Sequence, residues 1–78
     1  MARIEEKHFE LKEQERHNIH NIVNATYFFF NNGGETFFQL DTYGSPDRAV
    51  QGVSSQKIQL DKKMAEMLIK ILKKGFNI

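Results

Sequence analysis

The chain contains no cysteine. Disulfides and thiolate metal sites are therefore excluded. It carries no strong charge of one sign: eleven basic and ten acidic residues leave a net charge of +1. Such a balance does not advertise a nucleic-acid partner by charge alone. The start, MARIEEKHFELK, has no apolar run. It fits neither a signal peptide nor a membrane span, so the expectation is a cytoplasmic protein with no membrane partner. No repeat and no low-complexity tract is present. No nucleophile constellation is present either: Ser45, Ser54 and Ser55 fall in loop-like sequence with no marked histidine–carboxylate pair nearby. The expectation is a protein that is not an enzyme and needs no cofactor. At 78 residues the chain holds one domain at most. A domain of this size buries only about 60–65% of its unfolded surface, so its own core is marginal.

What the chain does have is a concentration of aromatics. Seven of nine lie in TYFFFNNGGETFFQLDTYG, residues 26 to 44. A strand sends neighbouring side chains to opposite faces. Phe28, Phe29 and Phe30 therefore cannot all enter one core. Val23, Ala25, Tyr27 and Phe29 share one face, and Thr26, Phe28 and Phe30 share the other. Asn31-Asn32-Gly33-Gly34 then reads as a hairpin turn, because Asn and Gly tolerate positive φ. A two-residue turn at Asn32-Gly33 pairs Phe30 with Glu35 and Phe28 with Phe37. Cross-strand partners share a face. Tyr27 and Phe29 thus lie with Phe38, Leu40 and Thr42. Phe28 and Phe30 lie with Phe37, Gln39, Asp41 and Tyr43.

The second strand is expected over residues 35–43. Gly44-Ser45-Pro46-Asp47 follows as a turn, in which the single proline fixes φ. Residues 48–55 read as a loop or an irregular strand. Gln56-Lys57-Ile58-Gln59-Leu60 alternates, with Ile58 and Leu60 inward and Lys57 and Gln59 outward. Asp61 is an N-cap for a helix over residues 62–74, with Gly75 as its stop. Met64, Ala65, Met67, Leu68, Ile71 and Leu72 form its broad apolar stripe. The sheet face with Phe38, Leu40, Ile58 and Leu60 is where that stripe is expected to pack.

Residues 1–18 form a charged N-terminal segment, with four basic and five acidic side chains in the first sixteen positions. Ile4, Phe9 and Leu11 are its apolar anchors. A short strand around Phe9–Leu11 and a charged helix are both open. Glu13, His17 and His20 would share one helix face and suit a divalent metal. A polar surface segment is the preferred reading, and no metal is expected. Asn31–Gly34 lacks the lysine and following helix of a phosphate-binding loop. The face bearing Phe28, Phe30, Phe37 and Tyr43 has three readings. It stacks nucleobases, or docks a partner, or lies under the N-terminal segment as core.

The stretch FFQLDTYGSPDRAVQGVSSQKIQLDKKMAEMLIKIL resembles the positive cofactor 4 transcriptional coactivator family and its bacterial and phage relatives. The resemblance spans residues 26–74. It rests on the hairpin strand ending in Tyr43, the turn at Ser45-Pro46-Asp47, and Arg48 and Gly52 in the next loop. Ile58-Gln59-Leu60, the polar cap and the C-terminal helix complete it. It implies a ββββα unit that dimerises through helices and sheet edges and holds single-stranded nucleic acid on its sheet. Two departures remove positive charge from that path. Asp41 stands where the family tends to have a basic residue, and Gly52-Val53-Ser54-Ser55-Gln56-Lys57 replaces a shorter, more basic stretch.

The expected fold is α+β: a small antiparallel sheet of three or four strands with one C-terminal amphipathic helix packed on one face. Residues 19–78 form that single ββ(β)βα domain. The expected function is non-catalytic binding of single-stranded DNA or RNA, as a transcription or replication accessory factor. Phe28, Phe30, Phe37 and Tyr43 would stack bases, Gln39 and Gln59 would offer hydrogen bonds, and Arg48 and Lys57 would hold phosphates. The alternative is a small protein-interaction module using the same aromatic face on a protein partner. A homodimer is expected through Met64, Met67, Leu68, Ile71, Leu72 and Phe76, because that stripe is broader than so small a sheet can cover.

Overall fold

Strand β3 (Glu35–Tyr43) is where apolar alternation is strongest, and it occupies the interior of the sheet. The computed structural model describes residues 1–44 and 53–78. Within them lie β1 (Ala2–Ile4), β2 (Ala25–Asn32), β3, β4 (Ser54–Leu60) and one α-helix, α1 (Lys62–Phe76). The expected turn at Ser45-Pro46-Asp47, with Arg48 and Gly52, lies outside the described residues. The sheet order is β1-β4-β3-β2. The protein is an α+β domain with a four-stranded sheet and a C-terminal helix.

Two features of the sheet differ from the sequence-based expectation. It is mixed, because β1 runs parallel to β4. The N-terminal segment supplies that strand at Ala2–Ile4, followed by a 3-10 turn at Glu6–His8, rather than around Phe9–Leu11. Local pattern could not find it, since three residues are too few to show alternation. The second difference is the hairpin. Asn32 pairs with Glu35, Phe30 with Phe37 and Phe28 with Gln39. The turn is Gly33-Gly34, with φ of 61° and 82°. A type I′ turn needs positive φ at both central positions, and two glycines meet that without a Cβ clash. Asn32 is thereby released to pair. The register moves by two, so every side chain keeps its face.

One face carries Phe28, Phe30, Phe37, Gln39, Asp41, Lys57, Gln59 and Arg3. The other carries Tyr27, Phe29, Phe38, Leu40, Ile58, Leu60 and Ile4. A register shift between Thr42 and Tyr43 ends the regular pairing of β3 with β4. Beyond it the Tyr43 hydroxyl lies 2.9 Å from Thr26 Oγ1.

Helix α1 starts where Asp61 caps it, its Oδ1 accepting the Met64 N–H at 2.8 Å. It runs past Gly75, the expected stop, to Phe76. Asn77 takes the left-handed conformation at φ 58° and ψ 48°. The Ile78 N–H then reaches back to the Lys73 carbonyl at 3.0 Å, closing a Schellman-type end. Asn tolerates that conformation, so the helix ends two residues later than expected, at Phe76. Met64, in the first turn, is wholly buried, while every residue from Ile69 onward is exposed. The second half of an amphipathic helix thus has no cover within the chain. Residues 10–24 are exposed and without regular structure. The radius of gyration is 14.8 Å, against about 11–12 Å for a compact chain of this length.

Candidate nucleic-acid interface

The face that begins at Phe28 is organised as two parallel rows. The first is a row of rings. Phe28 and Phe30 lie 5.9 Å apart on β2, and Phe30 stacks on its cross-strand partner Phe37 at 5.5 Å and 23°. Arg3 extends the row. β1 pairs Arg3 with Gln59, which puts its side chain on this face. Its guanidinium carbon sits 4.9 Å from the Phe37 ring centroid, a cation–π contact.

The second row is polar. Lys57 Nζ donates to Asp41 Oδ2 at 3.3 Å, and Gln39 Nε2 donates to Asp41 Oδ1 at 2.8 Å. Gln59 Nε2 donates in turn to Gln39 Oε1 at 2.9 Å. An ionised carboxylate only accepts, so Asp41 fixes which way both amides point. The sheet register makes this row: Gln39 faces Gln59, and Asp41 faces Lys57. Gln39 and Asp41 are both buried, and no buried side-chain nitrogen or oxygen among the described residues lacks a partner. The row is therefore a rigid polar strip, fully satisfied except at its outer amide groups.

The sequence-named residues divide by accessibility. Phe37 is only 7% exposed and Gln39 is buried, while Phe28 is 44% exposed and Phe30, Tyr43, Lys57 and Gln59 are half-buried. Phe28, Phe30 and Tyr43 are the rings on this face that a ligand can reach. Phe37 is covered by Arg3, a residue that charge counting placed in the N-terminal segment and left there. Its only sequence signal is its place between Ala2 and Ile4. Arg48 lies outside the described residues. Of the helix residues named for self-association, Met64 is buried within the chain, Met67 and Leu68 are half-buried, and Ile71, Leu72 and Phe76 are exposed.

The opposite face presents a second aromatic group. Tyr27 stacks on Phe38 at 5.9 Å, and Phe29 lies 5.4 Å from Phe38. Tyr27 is 69% and Phe29 64% exposed. Both faces of the hairpin thus offer rings to solvent.

Charge on the first face is balanced. Arg3 and Lys57 are each matched by a carboxylate, Asp61 at 3.6 Å and Asp41 at 3.3 Å. Glu13, His17 and His20 lie in the exposed stretch without regular structure rather than on a helix, so no helix face gathers them. No group of three or more candidate metal ligands occurs among the described residues. No helix among them is long and apolar enough to cross a membrane. Comparison with known proteins gives no match: no family model, no curated protein and no solved structure matches this chain.

Proposed function

We propose that the chain is a non-catalytic single-stranded nucleic-acid-binding protein, an accessory factor of transcription or replication akin to the positive cofactor 4 family. The observation that carries the reading is the accessible row of Phe28 and Phe30 beside the fixed amide and lysine strip. Bases offer a π-face to such rings whatever their identity, and each stacked base contributes about 1–3 kcal/mol. Gln59, at the open end of the strip, offers hydrogen bonds without strong base preference. Lys57 and Arg48 are the phosphate contacts.

The balanced charge sets the character of the binding. With two phosphate contacts the log–log salt slope is about −1.4, since each contact to a single strand contributes about 0.7. Stacking, rather than Coulomb attraction, carries the affinity. A titration of labelled oligo-dT at low salt tests this. Wild type binds, Phe28→Ala loses about 1–3 kcal/mol, and a duplex of equal length binds less well because its bases are already stacked. No binding by wild type at low salt removes the reading.

Self-association is assigned to the opposite face and the helix end. Tyr27, Phe29, Ile71, Leu72 and Phe76 are exposed there, and large apolar groups left uncovered in this way mark an interaction surface. A second copy of the chain is the occupant we assign, giving a homodimer. The alternative function, a small regulatory module, uses the aromatic hairpin face of Phe28, Phe30, Phe37 and Tyr43 on a protein partner. It predicts that wild type binds no oligonucleotide at low salt.

A further inference from the structure

We propose that Arg3 is a displaceable cap on the aromatic row: a single strand takes the guanidinium onto a phosphate and places a base on the uncovered Phe37 ring. This rests on the reading of the face as a nucleic-acid platform. It deepens that reading by adding a binding residue and by opening the covered Phe37 ring to stacking.

Three observations converge on Arg3. Its guanidinium lies over Phe37, 4.9 Å from the ring centroid, in the place a stacked base would take. The same group meets Asp61 Oδ2 at 3.6 Å. Yet the Arg3 side chain is 46% exposed, against 20% for Asp61. Phe37 is thus covered by a mobile type of side chain with half its surface in water. Asp61 has a second task that keeps it in place, because its Oδ1 accepts the Met64 N–H at the start of α1. The carboxylate is a fixed dock and the arginine is the moving part.

Magnitudes favour exchange. An exposed ion pair holds its partners by no more than about fivefold. An exposed cation–π contact adds about two- to fivefold. A base stacked on an aromatic ring contributes about 5- to 150-fold. The guanidinium keeps a charged partner throughout, since a phosphate replaces the carboxylate and fits the same planar fork of donors. The vacated Asp61 retains the helix N–H as its partner, so no buried charge is stranded. In the free protein the cap adds to the cover that Phe30 gives the ring. In the complex it becomes a further phosphate contact beside Lys57.

The test compares wild type with Arg3→Met, Asp61→Asn and Glu6→Gln, after melting shows that each is folded. Met is similar in length and keeps apolar cover over Phe37. Asn is as good a helix cap as Asp, so Asp61→Asn removes the dock and keeps the helix start. Glu6→Gln removes an equal charge nearby and measures the general effect of charge. Affinity for oligo-dT is followed across a salt series. In parallel, the Arg3 Nε–H signal is followed by NMR, where the Phe37 ring current displaces it upfield. The proposal expects that signal to leave its displaced position in step with saturation. It expects the salt slope to shrink by about 0.7 in Arg3→Met. It expects Asp61→Asn to gain about 1.4- to 5-fold in affinity beyond any gain in Glu6→Gln, the range for losing one exposed pair. If wild type binds but the Arg3 signal stays put and Arg3→Met keeps the full slope, Arg3 is a fixed brace. The cap is then wrong, while the platform reading stands. If wild type binds no oligo-dT at low salt, the platform and the cap fall together.

Discussion

Replacing Phe37 by alanine separates a covered ring from an exposed one on the same hairpin. Phe37 is 7% exposed, stacked on Phe30 at 5.5 Å and covered by Arg3 at 4.9 Å. Removing the ring beyond Cβ forfeits roughly 120 Å² of buried apolar surface, about 3 kcal/mol at 25 cal per Å². The lost pair with Phe30 adds about 0.5–1.5 kcal/mol. The lost Arg3 contact adds about 0.5–1 kcal/mol. Two effects reduce the sum. The unfolded chain already buries part of this surface, which lowers the area contribution by about 10–40%. Arg3 and Phe30 are also free to relax into part of the space. The net expectation is a loss of about 3–4 kcal/mol.

A domain of 78 residues has a total stability of about 4–12 kcal/mol, so this loss is a large share of it. It lowers the melting temperature by about 12–30 °C, at about 4–8 °C per kcal/mol. The assay is thermal melting by circular dichroism at dilute concentration, with Phe29→Ala as the matched substitution. Phe29 is 64% exposed, so its replacement in a single chain costs about 1–2 kcal/mol, its ring pair with Phe38 included. Phe37→Leu, which keeps most of the volume, covers the case in which Phe37→Ala does not fold at all. It should lose about 1–1.5 kcal/mol. A drop of under 4 °C for Phe37→Ala, or equal drops for Phe37→Ala and Phe29→Ala, would refute the reasoning.

The remaining expectations concern the cap, the turn, the polar strip and self-association. Asp61→Ala removes both the Met64 N–H acceptor and the Arg3 partner, and denaturant unfolding should show a loss of about 1–2 kcal/mol; Asp61→Asn should recover most of it. Gly34→Ala meets no atom within 4 Å of the added Cβ but holds φ of 82°, so it should cost about 1–2 kcal/mol through backbone conformation alone; a neutral result would mean the turn has another shape. Asp41→Ala leaves the buried Gln39 amide without its acceptor and should cost about 1–3 kcal/mol by urea unfolding. Sedimentation at tens of micromolar should give twice the chain mass of 9.1 kDa. Ile71→Asp should return the single-chain mass without lowering helix content, and a wild-type monomer would remove the assignment.

Much of this fold was readable because its signals are local. The alternation in residues 35–43 required a strand, and β3 spans Glu35–Tyr43. Asp61 before the apolar stripe required a helix start, and the cap bond is there. The partition of rings between two faces survived a misplaced turn, because a slip of two residues leaves a period of two unchanged. The helix end was less readable. Gly75 looks like a stop, but a helix gains a hydrogen bond per added residue until something prevents it, and Asn77 can supply the left-handed residue in its place.

The sequence by itself determined which segments extend, which one coils and which side chains share a face. These depend on backbone preference and on periods of two and 3.6, properties of neighbours along the chain. Tertiary structure alone decided that Ala2–Ile4 joins β4 in parallel. It also decided that Arg3 lies over Phe37, that Gln59, Gln39, Asp41 and Lys57 form one bonded strip, and that α1 from Ile69 onward has no cover within the chain. Those outcomes depend on which of several strand edges a three-residue segment meets, a choice separated by more than fifty positions. No local preference encodes it, because the energy that settles it exists only once both edges are formed.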